Sequence, residues 1–386
     1  MPQDEPIANH FTCKTHNKKN PQRPQKMKIG IVTQPLLGNY GGILQNYALQ
    51  QVLRQLGHDP ITLDFQGGYS GINIFIQELK IFSRFLRGKS KKWAISPFKR
   101  HRNNPSIIRF VNDHIATTQP FWDKYSNNLI QQHGIEFIIV GSDQVWRPKY
   151  VLNIYDMYLQ WIQDDSLKRI AYAASFGTSD WEYSQEQANI CSKLLKKFNG
   201  VSVRECSGVD LVNQLGASAT QVLDPTLLLG KQGFDTLFES EPTKTNTLGT
   251  YVLDSNPALN GIIEQVMESV HLQDCVSLKV NTQNIGPTEW IQSIRESSFF
   301  VTDSFHGTVF CLLYHVPFIT YLNSARGADR FYTLLEPLKL ANRVVTEFNI
   351  DTIKHIAESS IDWSQVDETL AVLRTKSYDF LTTSLT

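Results

Sequence analysis

Short apolar runs rich in β-branched residues alternate with stretches of helical spacing along nearly the whole chain, the pattern of parallel strands joined by crossover helices. In the first half this predicts strands at 28–33, 60–65, 136–141, 169–174 and 200–203. Between the first two, Ile43, Leu44, Tyr47, Ala48, Val52, Leu53 and Leu56 recur at helical spacing and Gly57 follows as a stop, which makes a βαβ unit. Val222-Leu223-Asp224-Pro225-Thr226 reads as a strand end with a proline-marked exit. The stretch 230–247 is polar, with Gly230, Gly233 and Pro242, so the domain junction is placed there. A second series of strands is predicted at 249–253, 275–279, 298–302, 317–321 and 343–345, with helices between. The expected fold class is α/β: two Rossmann-like domains, 27–228 and 229–362, facing across a cleft, and a C-terminal helix within 363–386 packing back toward the first domain.

Length agrees with this, since 386 residues suffice for two domains that each bury a core. The 37 basic side chains balance the 37 acidic ones, so no global field recruits nucleic acid or a membrane. Five cysteines (Cys13, Cys191, Cys206, Cys275, Cys311) are widely spaced, which argues against a disulfide framework or structural zinc and suits a reducing compartment. Residues 1–26, rich in Asn, Gln, Lys and Pro and without a signal-peptide apolar run, read as a disordered leader before the strand that follows Met27. No segment approaches the roughly 18–20 apolar residues of a membrane span, and a cytoplasmic protein is expected.

One stretch departs from the alternation. Residues 80–109 hold ten Lys or Arg and no acid, interleaved with Phe82, Phe85, Trp93 and Phe98. It reads either as a solvated basic insertion or as a peripheral contact with anionic lipid headgroups or an acceptor's diphosphate.

The candidate chemistry sits where strands end. Gly38-Asn39-Tyr40-Gly41-Gly42 leads into the first helix, where free amides favour an anion or sugar hydroxyls. The spacing is not that of a dinucleotide fingerprint, although Asp64 stands where a ribose-binding acid would, and the glycines equally permit a tight turn. Gly141-Ser142-Asp143-Gln144-Val145-Trp146 puts Asp143 at a strand's carboxyl end: with Gln144 it offers hydrogen bonds to a sugar, and Trp146 offers an indole face. The competing reading of Asp143 is a helix cap. Ser175 and Phe176 follow the next strand, and Arg204 the one after, as an anion clamp or a structural ion pair.

In the second half a strand runs into Asp303-Ser304-Phe305-His306-Gly307-Thr308 at a helix start. An imidazole there can donate to phosphate or move a proton near neutral pH, with Ser304, the Gly307 amide and Thr308 as further donors. Arg326 and Arg330 either bring guanidinium groups to the same cleft or belong to a solvated helix start with Asp329 nearby.

Taken in order, these segments, with Gln45, Asn46 and Tyr47 behind the first glycines and Val203-Arg204-Glu205, resemble the polysaccharide pyruvyl transferase family over roughly 28–345. The resemblance implies a GT-B-like enzyme that moves pyruvate from phosphoenolpyruvate onto a hydroxyl pair of a sugar, as a ketal, in a cell-surface polysaccharide or its lipid-linked precursor. Phosphoenolpyruvate is then a co-substrate, with no cofactor and no metal. The roles assigned on this reading are His306 and Asp143 as acid and base, or Asp143 only orienting the acceptor; Arg204, Ser304, Gly307, Thr308, Arg326 and Arg330 at the donor; and Gly38, Asn39, Gly41, Gly42, Gln45, Gln144, Trp146, Ser175 and Phe176 at the acceptor. The family's second-domain motif often reads Arg-x-His-Gly, and Ser304 occupies the Arg position here, so the donor's counter-charge falls to Arg326 or Arg330 or the donor differs. Two alternatives stand beside this: a GT-B glycosyltransferase using a nucleotide sugar, and a sugar-binding protein without catalysis.

Overall fold

Four residues, Phe137-Ile138-Ile139-Val140, form a strand whose every side chain is buried, as happens when a parallel sheet carries helices on both faces. The structure, a computed structural model, describes residues 26–67, 104–254, 256–278, 285–322 and 327–386. Residues 1–25 of the expected leader, most of the basic stretch (80–103) and Arg326 lie outside the described residues.

The first half contains β1 (Lys28–Val32), β2 (Asp59–Thr62), β3 (Phe137–Val140), β4 (Lys168–Ala174), β5 (Gly200–Val203) and β6 (Thr220–Gln221). All pairings are parallel, and the sheet order is β2-β1-β3-β4-β5-β6. Around it lie α1 (Tyr40–Gln55), α2 (Pro105–His114), α3 (Asn128–His133), α4 (Gln185–Leu195) and α5 (Cys206–Gln214), followed by α6 (Pro225–Asp235).

The second half contains β7 (Thr247–Tyr251), β8 (Asp274–Leu278), β9 (Phe299–Thr302), β10 (Phe318–Tyr321) and β11 (Val344–Val345), again all parallel, in the order β11-β10-β9-β7-β8. Its helices are α7 (Pro257–Ser269), α8 (Pro287–Glu296), α9 (Phe305–Leu313), α10 (Asp329–Leu335) and α11 (Ile350–Glu358), and α12 (Trp363–Ser384) closes the chain. The predicted strands in both halves begin within two residues of these positions.

The proline at 225 does something other than end a strand. Asp224 caps a helix, its Oδ1 accepting from the Thr226 amide at 3.0 Å, and Pro225 takes the first helical position, where a missing N–H costs nothing. The stretch expected to be a polar link from 230 therefore begins inside α6, which is kinked at Gly230 (φ 74°).

This helix ties the halves together. One apolar cluster contains residues of α1, α6, α8, α9 and α12. Within it Tyr47 meets Phe234 (5.7 Å between centroids), Phe234 meets Phe310 (4.9 Å), and Phe310 meets Trp290 (5.3 Å), a continuous aromatic path from one domain to the other. From the far end of the chain α12 packs on the first half: the Leu223 amide donates to Ser377 Oγ at 2.9 Å, and Arg374 Nε donates to the Leu227 carbonyl at 2.7 Å. Among the described residues no helix is long and apolar enough to cross a membrane.

Candidate active site

Because all strands of both sheets are parallel, their carboxyl ends gather the loops that follow, which is where open α/β sheets build sites. A cavity of about 520 Å³ opens there, lined from the first half by Gly38, Asn39, Asp143, Gln144 and Tyr150, and from the second by Tyr251, Leu253, Ser304, Phe305, His306 and Arg330.

Asp143 follows β3 in a left-handed backbone conformation (φ 78°), unfavourable for any residue with a Cβ and common at functional sites. Its carboxylate is aimed by two donors, Asn39 Nδ2 at 3.0 Å and the Gln144 amide at 2.9 Å. Asp143 is thus held by the start of α1 rather than capping a helix of its own.

His306 lies in the first turn of α9, whose cap is Ser304: the Ser304 Oγ accepts from the Gly307 amide at 3.3 Å. The imidazole is 7% exposed and lies against the start of α1, where a Cβ placed on Gly41 would meet His306 Nδ1 at 2.0 Å. On the other side Nε2 faces Asp224 Oδ2 at 3.6 Å, an ion-pair separation rather than a hydrogen bond.

Asp224 is the anchor behind the imidazole. It is 1% exposed, and its carboxylate accepts from Ser142 Oγ (3.0 Å), Arg204 Nη1 (2.9 Å) and the Thr226 hydroxyl (2.6 Å). Burial alone would raise its pKa, but His306 and Arg204 outweigh burial and hold it well below the usual carboxylate range. The result is a buried anion fixed 3.6 Å from Nε2 of the imidazole.

Arg204 sits one layer behind the cavity. Besides Asp224 it meets Ser175 Oγ at 3.1 Å and Glu205 at 3.6 Å, and its guanidinium carbon is 4.6 Å from the Phe305 ring centroid. Burial would lower its pKa, yet Glu205, Asp224 and Asp143 raise it overall, so the charge is secure. Of the two readings of Arg204, anion clamp and structural ion pair, the geometry here is that of a buried ion pair with Asp224. The guanidinium on the cavity wall belongs to Arg330, beside the Phe305 and Phe331 rings at 5.6 and 5.2 Å.

Several residues expected at the site lie in the interior instead. Trp146 is fully buried, stacks on Tyr158 at 4.9 Å and donates from Nε1 to the Met157 carbonyl, so no indole face meets a sugar. Phe176 packs edge-on against it at 5.5 Å. Gln45 Nε2 donates to Thr33 Oγ1 and to the Gly42 carbonyl inside the first domain. Ser175 bonds Glu205 and Arg204, Thr308 shares a hydrogen bond with Thr320 at 2.7 Å, and the Gly307 amide is taken by the Ser304 cap. Gly41 and Gly42 serve by smallness, since a Cβ on Gly42 would come within 3.1 Å of Asp143 Oδ2. Asp64 is 1% exposed, accepts from Gln66 Nε2 and does not line the cavity.

The reading of the sequence missed Asp224 as a charged anchor and Tyr150, Tyr251 and Leu253 on the cavity wall. For Asp224 a signal existed: Asp-Pro-Thr is a helix-start triplet, and it follows a strand.

Residues 39–324 match the sequence model of polysaccharide pyruvyl transferase, which takes in the Asp143, Arg204, Asp224 and His306 segments together. The chain belongs to the polysaccharide pyruvyl transferase family. As a member of that family it is a transferase of polysaccharide pyruvylation, and a polysaccharide acceptor goes with that membership. No curated protein matches the chain. Among solved structures, the UDP co-structure of MnaA from S. aureus is 10% identical, covers 89% of this chain and 90% of its own, and superposes with a TM-score of 0.50. The UDP-GlcNAc 2-epimerase of Methanocaldococcus jannaschii is 11% identical over 87% of this chain and 93% of its own (TM-score 0.49). The spinosyn rhamnosyltransferase SpnG is 10% identical over 92% and 96% (TM-score 0.41). At such identities the likeness to MnaA shows the fold alone, two parallel-sheet α/β domains of GT-B type.

Proposed function

We propose that the enzyme transfers pyruvate from phosphoenolpyruvate to a pair of sugar hydroxyls, forming a ketal on a cell-surface polysaccharide or its lipid-linked precursor at the cytoplasmic side. The observation that carries this is the meeting of His306 and Asp143, one from each domain, on the wall of one cavity. Phosphoenolpyruvate is read as the co-substrate, its phosphate and carboxylate held by Arg330, Ser304 and the Asn39 amide group. With Ser304 at the family's Arg position, Arg330 supplies the counter-charge in this reading.

In the reaction, His306 as imidazolium protonates the methylene carbon of the enol, which leaves C2 electrophilic. A sugar hydroxyl attacks C2 while Asp143 takes its proton, phosphate departs, and a second hydroxyl closes the ketal with loss of its own proton to the phosphate. Asp224 faces the ring's Nε2 at 3.6 Å, and proton transfer by a positioned group is worth typically 10²- to 10⁴-fold.

Release of inorganic phosphate from phosphoenolpyruvate in the presence of saccharide acceptors tests the proposal, with mass spectrometry of the product for the ketal. Release of a nucleoside diphosphate from a nucleotide sugar, with phosphoenolpyruvate inert, would replace it with glycosyl transfer.

A further inference from the structure

Tyr150 ends the 3-10 turn Pro148–Tyr150, lines the cavity and is 48% exposed. For an exposed ring it is held firmly. The guanidinium carbon of Arg147 lies over it, 4.5 Å from the centroid, and Arg147 itself is 7% exposed. Arg147 is pinned in turn: Nε and Nη2 donate to the two oxygens of Glu182 at 3.2 and 3.1 Å, and Nη1 donates to Gln144 Oε1 at 3.1 Å. Lys149 Nζ adds a bond to Glu182 at 2.8 Å. Burial raises the Glu182 carboxyl, but its bonds to Arg147 and Lys149 outweigh this and keep it low.

A buried Arg–Glu pair is a poor source of stability. What this one does is geometric. With three of its donors engaged in the plane, the Arg147 guanidinium presents its flat face to the ring, which suits stacking. One face of Tyr150 is thereby occupied and its orientation fixed, while the residue stays half exposed at the cavity. The same guanidinium grips Gln144, the neighbour of Asp143, so the ring and the proposed base are positioned by one short segment.

We propose that Tyr150 is the platform on which a pyranose ring of the acceptor stacks its C–H face, with Arg147 and Glu182 as the positioning pair that holds the platform. This rests on the reading of the cavity as a saccharide site and names the residue that sets which sugars it accepts. Trp146, the aromatic that the sequence offers for this task, is fully buried between Tyr158 and Phe176.

The test is donor-free binding of methyl glucoside, galactoside and mannoside to the full chain, by saturation-transfer NMR, beside calorimetry with phosphoenolpyruvate alone. Tyr150→Ala is expected to weaken the pyranosides that bind by about tenfold or more, and Tyr150→Phe to keep them within about twofold. Glu182→Gln is expected to weaken pyranosides while leaving phosphoenolpyruvate affinity unchanged, and equal loss of both would reduce Glu182 to a structural role and overturn the positioning pair. Undiminished pyranoside binding in Tyr150→Ala, or no binding of any of the sugars to the wild type, overturns the platform. Absence of phosphoenolpyruvate binding beside a Tyr150-dependent sugar signal would instead overturn the donor assignment and sustain the platform.

Discussion

His306 of the second domain rests on Gly41 of the first, so closely that a methyl group at Gly41 would sit 2.0 Å from Nδ1. The imidazole is therefore positioned by a contact between domains, by Asp224 at 3.6 Å, and by the Phe305 ring of its own helix, edge-on at 5.4 Å.

Gly41→Ala pushes the ring off this seat. A displacement of about 1 Å at a reacting group costs about 10²-fold in rate, and turnover is expected to fall by that order. Alanine is the better helix former by about 0.5–1 kcal/mol, so the melting temperature serves as the control: lost activity at nearly native stability supports the seat, and full activity removes it.

His306→Asn keeps the approximate shape and removes the proposed proton carrier. Phosphate release is expected to fall 10²- to 10⁴-fold, with phosphoenolpyruvate affinity changed far less. Native turnover in this variant would end the assignment of His306 as acid.

Asp224→Asn leaves Arg204 buried against a weakened partner, and breaking a buried pair costs about 3–5 kcal/mol. The pH dependence has a definite sign. The folded pKa of Asp224 is depressed, so its contribution is fully present above the unfolded value of about 3.9 and is lost as pH falls below it. Denaturant titrations should show the charge-dependent part of the gap between wild type and variant shrinking only below about pH 4.

Arg330→Ala removes the guanidinium from the cavity wall. If Arg330 holds the donor, KM for phosphoenolpyruvate should rise by about tenfold or more while saccharide binding is retained, a loss in the range of charge-assisted hydrogen bonds. Steady-state kinetics with each substrate varied in turn separates the two.

Trp146→Phe tests the corrected placement of the indole. The residue is buried and its Nε1 is bonded to the Met157 carbonyl, so the change leaves that acceptor unpaired and opens a gap, a destabilisation of about 1–3 kcal/mol. Melting curves should record this loss, and sugar affinity at the native temperature should not change.

The strands were legible because a parallel sheet buried on both faces writes itself as short β-branched runs, as at Phe137–Val140. The site segments were legible because they follow those runs. What the pattern could not show is which way each residue of a segment turns. Asp143 and Trp146 stand three positions apart on one loop, yet the left-handed backbone at Asp143 turns its carboxylate to the cavity while the indole goes into the core. Asp224 was obscured because a proline after a strand signals an exit and a helix start equally well. For Arg204 the sequence left anion clamp and structural ion pair both open, and only the folded chain shows Asp224 as its ion-pair partner.

The aromatic path through Tyr47, Phe234, Phe310 and Trp290 bears on how members of this family can be recombined. A chimaera cut at the end of the first sheet would part Phe234 from Tyr47 and strand α12 with the wrong half. A cut that keeps 225–235 and 363–384 with the first sheet exchanges the second sheet and its helices as a unit, provided that the incoming helix brings an aromatic residue to the place of Phe310.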